Sequence, residues 1–556
     1  MNDDRPGNRA PGAIWGRTAI LAGLGIVIGL GLWLRWAHLL HSGFLYDGDE
    51  AFIALMGLRM AKGQAFPLIQ HGAHYMGTAD AAITALLLRG FGISVEMHKM
   101  THLLYAGLAM ALLGWIGWRL WGWGRAYAAV GLLAVAPSAI RWQIDANTNY
   151  GISLALECGV MALTVAVLLE WSHRSPQGPS LWKVWWLGLL SGLAFWQYSL
   201  IVSLLLALVC VAWLCPGAVT RKTAGIGAAG FLIGASPLLI HNATHSFATV
   251  RTFLGFFLDI SSRREVEEGS VARVVAGGLW KHLDPIGLGA NLLTALRGPS
   301  FGASGLLAVA GPVALGVLGL LVVSALVTWL REARSLGWRR WLAAPDGVLL
   351  GWLLLSIGLA VFFGSTRARY LSLLLPLLVT LVAGKWPAAL LGRTMQAALL
   401  AGLILYLTAV SVMLNLVKPD MTVDPIPELV RFLEAKGLRQ GYADYNIAYP
   451  ILLYSQEAVT VSPLAGPVMT DRFRYHTKAV EQASAPFYIY EEREPLKDAL
   501  TGYLHGSGIR FDQAVVGRYL VIWNLSRAVR PDEFLPPKYL DTYRREHDGA
   551  SQTEPA

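Results

Sequence analysis

Long apolar runs separated by short polar segments fill the chain from residue 18 to residue 416. A helix of about 20 apolar residues is long enough to cross the hydrocarbon core of a bilayer. The pattern therefore predicts about eleven membrane-spanning helices. The predicted spans are 18–40, 100–118, 126–140, 150–170, a tight pair within 184–215, 223–240, 303–330, 347–363, 370–384 and 395–416.

Basic residues mark which ends of these spans face the cytoplasm. Arg5, Arg9 and Arg17 precede the first span, and nearly every second loop after it is also basic, which predicts a cytoplasmic N-terminus. An odd number of spans then places the segment from Lys418 onward outside the membrane. Arg367 and Arg369 are an exception, because this topology places them in an outer loop.

Composition supports the same class of protein. The 556 residues are 55% hydrophobic and 15% charged, with a mean hydropathy of +0.48, whereas soluble proteins carry about a quarter charged residues. The net charge of +9 follows from basic cytoplasmic loops, so no nucleic-acid partner is expected. The Gly-, Ala- and Arg-rich composition fits a bacterial inner membrane.

The polar segments divide the chain into domains. Residues 1–417 are predicted to form a helical transmembrane domain with a first outer loop at 41–98 and a long outer segment at 241–302. Within the first loop, two amphipathic patterns, 51–60 and 82–88, predict helices on the membrane surface that end at Gly63 and Gly90.

The composition changes after Lys418 to that of an α/β domain. Residues 418–548 alternate helical and strand patterns, so an extracytoplasmic α/β domain is predicted there. Strands are expected at Tyr442–Tyr445, AVTVSP, PFYIYE and VVGRYLVIWNL. IAYPILLYS is either a short helix or a buried strand, and residues 549–556 form a disordered tail.

Candidate chemistry begins directly after the first span, where Asp47, Asp49 and Glu50 fall within four residues. Such acids are either functional or a solvated cluster that caps the next helix. A carboxylate and an arginine on one membrane face suit a reaction on a phosphate ester. The carboxylate would take a proton from the incoming hydroxyl, and the arginine would neutralise the leaving phosphate. Other polar residues predicted on that face include His71, His74, Tyr75, Asp80, Asp145, Asn149, His241, His245, Arg367 and Arg369.

Each of these residues also has a structural interpretation. His71 and His74 lack the HExxH or Cys-pair spacing of a metal site, so no metal ligand is assigned, although a divalent metal is compatible with the sequence. His241 and His245 could form an interfacial cap, and Arg367 and Arg369 could anchor in lipid headgroups.

The stretch from Asp49 to Gly92 resembles a bacterial branch of the GT-C superfamily, described as glycosyltransferase family 39-like. This family is related to protein O-mannosyltransferases and to the lipid A aminoarabinose transferase. Arg59, Ala73 and Asp80 depart from the family pattern. A second stretch, ARYLSLLLPLL, resembles another run of the family and places Arg369 on the arginine of that run. The matching positions are Asp49, Ala51, Leu55, Met56, Gly63, Pro67, Gly72, Tyr75, Met76 and Gly77.

The resemblance implies an inverting glycosyltransferase that moves a sugar from a polyprenyl phosphate to a hydroxyl of a glycan, lipid or protein acceptor. It makes Asp49 the general base, with no required cofactor. Glu50 and Asp80 would orient the acceptor or raise the pKa of Asp49 through like charge, and Tyr75 belongs to the same acceptor side. Arg369, Arg367 and His241 would bind the donor phosphate.

Two other functions agree with part of the pattern. A transporter or flippase of lipid-linked glycans would show internal repeats and charges at the membrane midplane, whereas here the polar groups gather at one face. A membrane scaffold with a partner-binding outer domain would need no pocket beside Asp49.

Overall fold

The computed structural model describes residues 11–144, 149–172, 179–199, 202–214, 219–252, 327–342, 344–362, 374–384, 393–412, 425–464, 472–491, 494–537, 539, 540 and 543. The chain divides into two compact units. The first, here called the helical unit, comprises Met1–His38, His102–Ile144 and Asn149–Lys418. The second, here called the mixed unit, comprises Leu39–Thr101, Asp145–Thr148 and Pro419–Ala556.

Helices account for most of the described chain up to residue 412. In chain order they are α1 (Pro11–Ser42), α2 (Gly48–Ala61), α3 (Ala79–Phe91), α4 (Val95–Trp121), α5 (Trp123–Val135), α6 (Pro137–Ile144), α7 (Asn149–Ser172), α8 (Leu181–Gln197), α9 (Val202–Leu214), α10 (Arg221–Gly234), α11 (Ser236–Thr244), α12 (Trp338–Leu342), α13 (Pro345–Phe362), α14 (Leu375–Ala383) and α15 (Arg393–Val412).

Three helices in the described ranges are long and apolar enough to cross a membrane: Thr18–Ser42, Val95–Trp121 and Asn149–Trp171. The pair α10 and α11, bent by 63°, would make a fourth. Most of the predicted span 303–330 lies outside the described residues, so the number of eleven spans stays a prediction. The predicted span 126–140 is two helices, because Pro137 starts α6 after an extended Ala136.

Close contacts between backbones hold part of the helical unit together. A Cβ atom at Gly230 of α10 would lie 2.4 Å from the Trp185 carbonyl oxygen of α8, and one at Gly192 of α8 would lie 2.2 Å from the Phe231 carbonyl oxygen. Small residues at such positions allow two helices to approach, as in other membrane proteins. Within the same unit, the buried Arg35 guanidinium donates to the carbonyls of Gly31, Leu133 and Ala134.

The two amphipathic patterns after the first span form α2 and α3 of the mixed unit. Helix α2 ends at Ala61, and Gly63 follows with φ +74°. Helix α3 continues through Gly90 to Phe91, and Gly92 at φ +99° ends it, so the predicted stop at Gly90 was wrong by a short distance. Gly92 has the left-handed φ that glycine adopts most readily.

The C-terminal part of the mixed unit contains a five-stranded sheet in the order β2-β1-β3-β5-β4. Strand β1 is parallel to β2 and β3, whereas β5 is antiparallel to β3 and β4. The elements are α16 (Ile426–Ala435), β1 (Gln440–Ala443), α17 (Tyr445–Tyr454), β2 (Thr460–Pro463), α18 (Arg474–Glu481), β3 (Phe487–Glu491), α19 (Pro495–Gly506), β4 (Asp512–Val516), β5 (Tyr519–Trp523) and α20 (Pro531–Phe534).

The strand predicted over VVGRYLVIWNL is a hairpin rather than one strand. Val516 of β4 pairs with Tyr519 of β5 around a two-residue turn, and Gly517 in that turn has φ +60°. The stretch IAYPILLYS, predicted to be either a short helix or a buried strand, belongs to helix α17. Hydrophobic side chains cover both faces of the sheet, with Tyr442 and Tyr488 in one core and Val461 and Val521 in the other.

Candidate active site

Helix α2 begins immediately after the acidic stretch, and its first residues place the three carboxylates in different environments. The Asp47 side chain accepts a hydrogen bond of 2.7 Å from the Glu50 backbone N–H, so Asp47 is the N-cap. Because Asp49 and Glu50 are adjacent in a helix, their side chains point in directions about 100° apart. Asp49 is 45% exposed, whereas the Glu50 side chain is fully buried.

Two side chains from the C-terminal part of the mixed unit meet Asp49. The Tyr445 hydroxyl, at the start of α17, donates a hydrogen bond of 2.7 Å to Asp49 Oδ1. Arg472 Nη2 lies 3.6 Å from the same oxygen, and Arg472 Nε donates to the Tyr445 hydroxyl over 3.4 Å. The candidate general base is therefore held by a phenol and a guanidinium.

Arg472 is itself fixed by several groups. Its Nη1 donates to the His71 carbonyl oxygen over 3.0 Å, and its backbone N–H donates to the Tyr449 hydroxyl over 2.7 Å. The guanidinium lies over the Phe52 ring at 5.2 Å. Phe52 also packs against Tyr449, so an aromatic wall stands beside the charged groups.

Glu50 forms a second, buried group beneath α2. Its Oε1 lies 2.6 Å from Lys99 Nζ, and neither side chain is exposed. Lys99 Nζ also lies 4.4 Å from the centroid of the Tyr46 ring, and the Tyr46 hydroxyl donates to the Val95 carbonyl oxygen. The structure thus separates Glu50 from the exposed carboxylate of Asp49.

The same buried region contains imidazole. A ring nitrogen of His98 lies within 4.8 Å of a Glu50 carboxylate oxygen. Carboxylate and imidazole are ligands that divalent metals accept. A metal is therefore compatible with this group, in which Lys99 already supplies a positive charge to Glu50.

Asp80 and Tyr75 also lie in the mixed unit. Asp80 is fully buried in the first turn of α3, and Tyr75 is half-buried in the loop before it. Burial raises the pKa of Tyr46, and the charges of Glu50 and Asp80 add to this effect. Asp80 and Glu50 are therefore both within electrostatic reach of Tyr46.

The three residues predicted for the donor phosphate have different outcomes. Arg367 and Arg369 lie outside the described residues. His241 is half-buried on α11 of the helical unit, and its ring stacks on His245 with centroids 4.2 Å apart. Its role as a phosphate ligand stays a prediction.

Sequence reasoning missed Tyr445, Arg472 and Lys99. Tyr445 lies in the stretch GYADYNIAYP, and nothing local connects that stretch with Asp49. Lys99 carried a usable signal, since it is a charged residue at the start of a predicted span, and such charges are paired as a rule.

Solved structures with a similar architecture include ArnT from Cupriavidus metallidurans bound to undecaprenyl phosphate. The similarity covers 93% of this chain and 99% of ArnT, with a TM-score of 0.53 and 12% identity. The Archaeoglobus fulgidus oligosaccharyltransferase in complex with Zn and sulfate matches over 92% of this chain and 74% of its own, with a TM-score of 0.53 and 10% identity.

The archaeal oligosaccharyltransferase AglB from Archaeoglobus fulgidus, in complex with an inhibitory peptide and a dolichol-phosphate, gives a TM-score of 0.51 at 12% identity. That match covers 88% of this chain and 71% of AglB. The chain has a GT-C fold. The GT-C resemblance read from the loop after the first span is thereby confirmed at the level of the fold. No family model matches the sequence, and no curated protein matches it.

Proposed function

We propose that this protein is an inverting glycosyltransferase that moves a sugar from a polyprenyl-phosphate donor to a hydroxyl acceptor on the outer face of the membrane. The observation that carries the proposal is the Asp49 carboxylate, which is 45% exposed and held at the start of α2 by Tyr445 and Arg472. The GT-C fold agrees with it, since ArnT is bound to undecaprenyl phosphate and AglB to a dolichol-phosphate in the similar structures.

In the proposed reaction, the acceptor oxygen attacks the anomeric carbon of the donor sugar. The bond from that carbon to the phosphate oxygen breaks, and its electron pair leaves with the polyprenyl phosphate. The acceptor proton passes to Asp49, the general base. Because phosphate is a good leaving group, the step needs no strong general acid. Attack from the side opposite the phosphate inverts the anomeric centre.

The other residues take supporting roles in this proposal. Arg369, Arg367 and His241 are assigned to the donor phosphate, as basic groups predicted at the outer face. Glu50 and Asp80 are fully buried, so we assign them to holding α2 and α3 rather than to touching the acceptor. Tyr75, half-buried in the loop before α3, is assigned to the acceptor side. No cofactor is required.

We place the protein in the bacterial inner membrane as a multi-pass protein with its N-terminus in the cytoplasm. The C-terminal segment and the acidic loop then lie outside, where a lipid-linked sugar would meet its acceptor. The basic residues that precede and follow the predicted spans support this orientation.

The proposal is tested with the purified protein in lipid vesicles. Polyprenyl phosphates that carry a radiolabelled hexose or pentose are supplied together with a cell-envelope extract as acceptor. Label should move from the lipid to the extract, and free polyprenyl phosphate should appear in equal amount. Mass spectrometry of envelopes from cells with and without the protein should then show one glycan modification that is lost without it.

A flippase is the competing function, and the same vesicles distinguish it. The protein would be a transporter and not a transferase if labelled lipid moved between leaflets without acceptor and no polyprenyl phosphate were released when acceptor was added.

A further inference from the structure

We propose that Tyr445 and Arg472 are positioning residues that fix one oxygen of Asp49 and leave the other oxygen to take the acceptor proton. This inference rests on the proposed function and deepens it. It makes the C-terminal segment part of the active site, because a base supplied by the first loop is oriented by residues that lie after the last predicted span.

The contacts of Asp49 are asymmetric. Both the Tyr445 hydroxyl, at 2.7 Å, and Arg472 Nη2, at 3.6 Å, approach Oδ1. From the described residues, Oδ2 receives no hydrogen bond or ion pair. A general base needs one oxygen that is free to accept a proton and a fixed direction for it. The arrangement meets both requirements, since one oxygen is held and the other has no partner in the described part of the chain.

The groups that hold Asp49 are rigid enough to impose a direction. Arg472 is fixed through its bonds to the His71 carbonyl and the Tyr449 hydroxyl. The start of α17 is held against the start of α2, because the Gly48 backbone N–H donates to Asn446 Oδ1 over 3.1 Å. No side chain fits at Gly48, where a Cβ atom would lie 2.4 Å from the Tyr445 ring.

Tyr445 also keeps its proton. Burial, together with the nearby Asp49 carboxylate, raises the pKa of the Tyr445 phenol although Arg472 opposes the shift. The hydroxyl therefore donates to Asp49 throughout the physiological pH range, and it does not compete with Asp49 as a base.

The test uses matched pairs of variants in the vesicle assay. Tyr445→Phe removes only the hydroxyl, and its control is Tyr454→Phe, which removes a hydroxyl at the other end of the same helix that donates to the Phe44 carbonyl. Arg472→Gln is paired with Arg59→Gln, since Arg59 is an aromatic-stacked guanidinium that pairs with Glu457 instead of Asp49.

We expect Tyr445→Phe and Arg472→Gln each to lower kcat roughly ten- to a hundredfold, with the KM for the lipid-linked sugar within about twofold of wild type. Each control should keep kcat within about threefold. Melting temperatures measured in detergent separate a change at the site from a general loss of folding.

Four results would overturn the inference. Wild-type kcat in Tyr445→Phe, or equal losses in a variant and its control, would remove the positioning role while the transferase stands. An increase in KM alone would make these side chains substrate ligands instead of positioning residues. Wild-type protein that transfers no sugar would remove the proposed function itself, and the inference with it.

Discussion

The hydroxyl of Tyr445 donates a 2.7 Å hydrogen bond to the carboxylate of Asp49, a residue 396 positions earlier in the chain. The contact joins the first turn of α2 to the first turn of α17 within one compact unit. It gives the partly exposed carboxylate of Asp49 a fixed orientation, and it links the first loop with the C-terminal segment of that unit.

The buried pair of Glu50 and Lys99 predicts a large effect on stability. Removing one partner takes the ion pair away from the other charge in a site that water does not reach. Glu50→Gln or Lys99→Met alone should each lower the free energy of unfolding by about 3–5 kcal/mol, measured by denaturation in detergent. The double variant should recover most of that loss, and a double variant less stable than either single one would contradict the account.

A side chain at position 48 should lower turnover. An alanine Cβ there would lie 2.4 Å from the Tyr445 ring, so Tyr445 must shift from the position in which it bonds Asp49. Gly48→Ala should lower kcat by roughly tenfold or more. Gly90→Ala is the control, since a Cβ at Gly90 meets nothing within 4 Å, and its kcat should be that of wild type. Equal activity of the two variants would show that the start of α17 does not orient the base.

Glu494, at the start of α19, predicts how stability depends on pH. Burial, with the charge of Asp444, raises the pKa of Glu494 to about 7 from 4.5. The folded state thus binds the proton of Glu494 more tightly than the unfolded state does. The stability that comes from protonated Glu494 is therefore complete below pH 4.5 and is lost as the pH rises through about 7. Glu494→Gln should therefore raise the melting temperature at pH 8 and change it little at pH 4.5.

Glu434→Gln is the control for this pH dependence, because Glu434 is exposed on α16. Its melting temperature should follow that of wild type at both pH values. If Glu494→Gln gives the same stabilisation at pH 4.5 as at pH 8, titration of Glu494 is not the cause.

The close contact between α8 and α10 should make added side-chain volume at its glycines destabilising. A Cβ atom at Gly230 would lie 2.4 Å from the Trp185 carbonyl oxygen, whereas one at Gly225 of the same helix meets nothing within 4 Å. Gly230→Ala should destabilise the protein by about 1–3 kcal/mol. Gly225→Ala should be neutral or stabilising by up to about 1 kcal/mol. Thermal unfolding in detergent measures both, and the opposite order would contradict the close helix contact.

Local features of the fold were predictable from sequence. The capping residue Asp47 and the helical spacing after it predict α2, and the GT-C resemblance starts at Asp49. The sequence pattern predicts one strand where the structure has a hairpin around Gly517, because a two-residue turn leaves little trace between two apolar runs. The pattern predicts that α3 ends at Gly90, whereas it ends before Gly92, since each glycine could end a helix and only the backbone conformation distinguishes them.

The candidate site was only half predictable. Asp49 was singled out by its position and by the resemblance, but its partners come from the other end of the chain. Tyr445 and Arg472 reach Asp49 through tertiary packing that no local pattern encodes. Glu50 looked equivalent to Asp49 in sequence, and its burial against Lys99 depends on which face of α2 packs inward.

The most direct measurement compares sugar transfer by Asp49→Asn and Asp47→Asn proteins under saturating lipid-linked sugar. Asp49→Asn keeps the shape of the side chain but removes its basicity, so kcat should fall by roughly a hundredfold or more while the melting temperature stays that of wild type. Asp47→Asn retains a helix-capping side chain and should keep wild-type transfer. Undiminished transfer by a folded Asp49→Asn protein would contradict the assignment of Asp49 as the base.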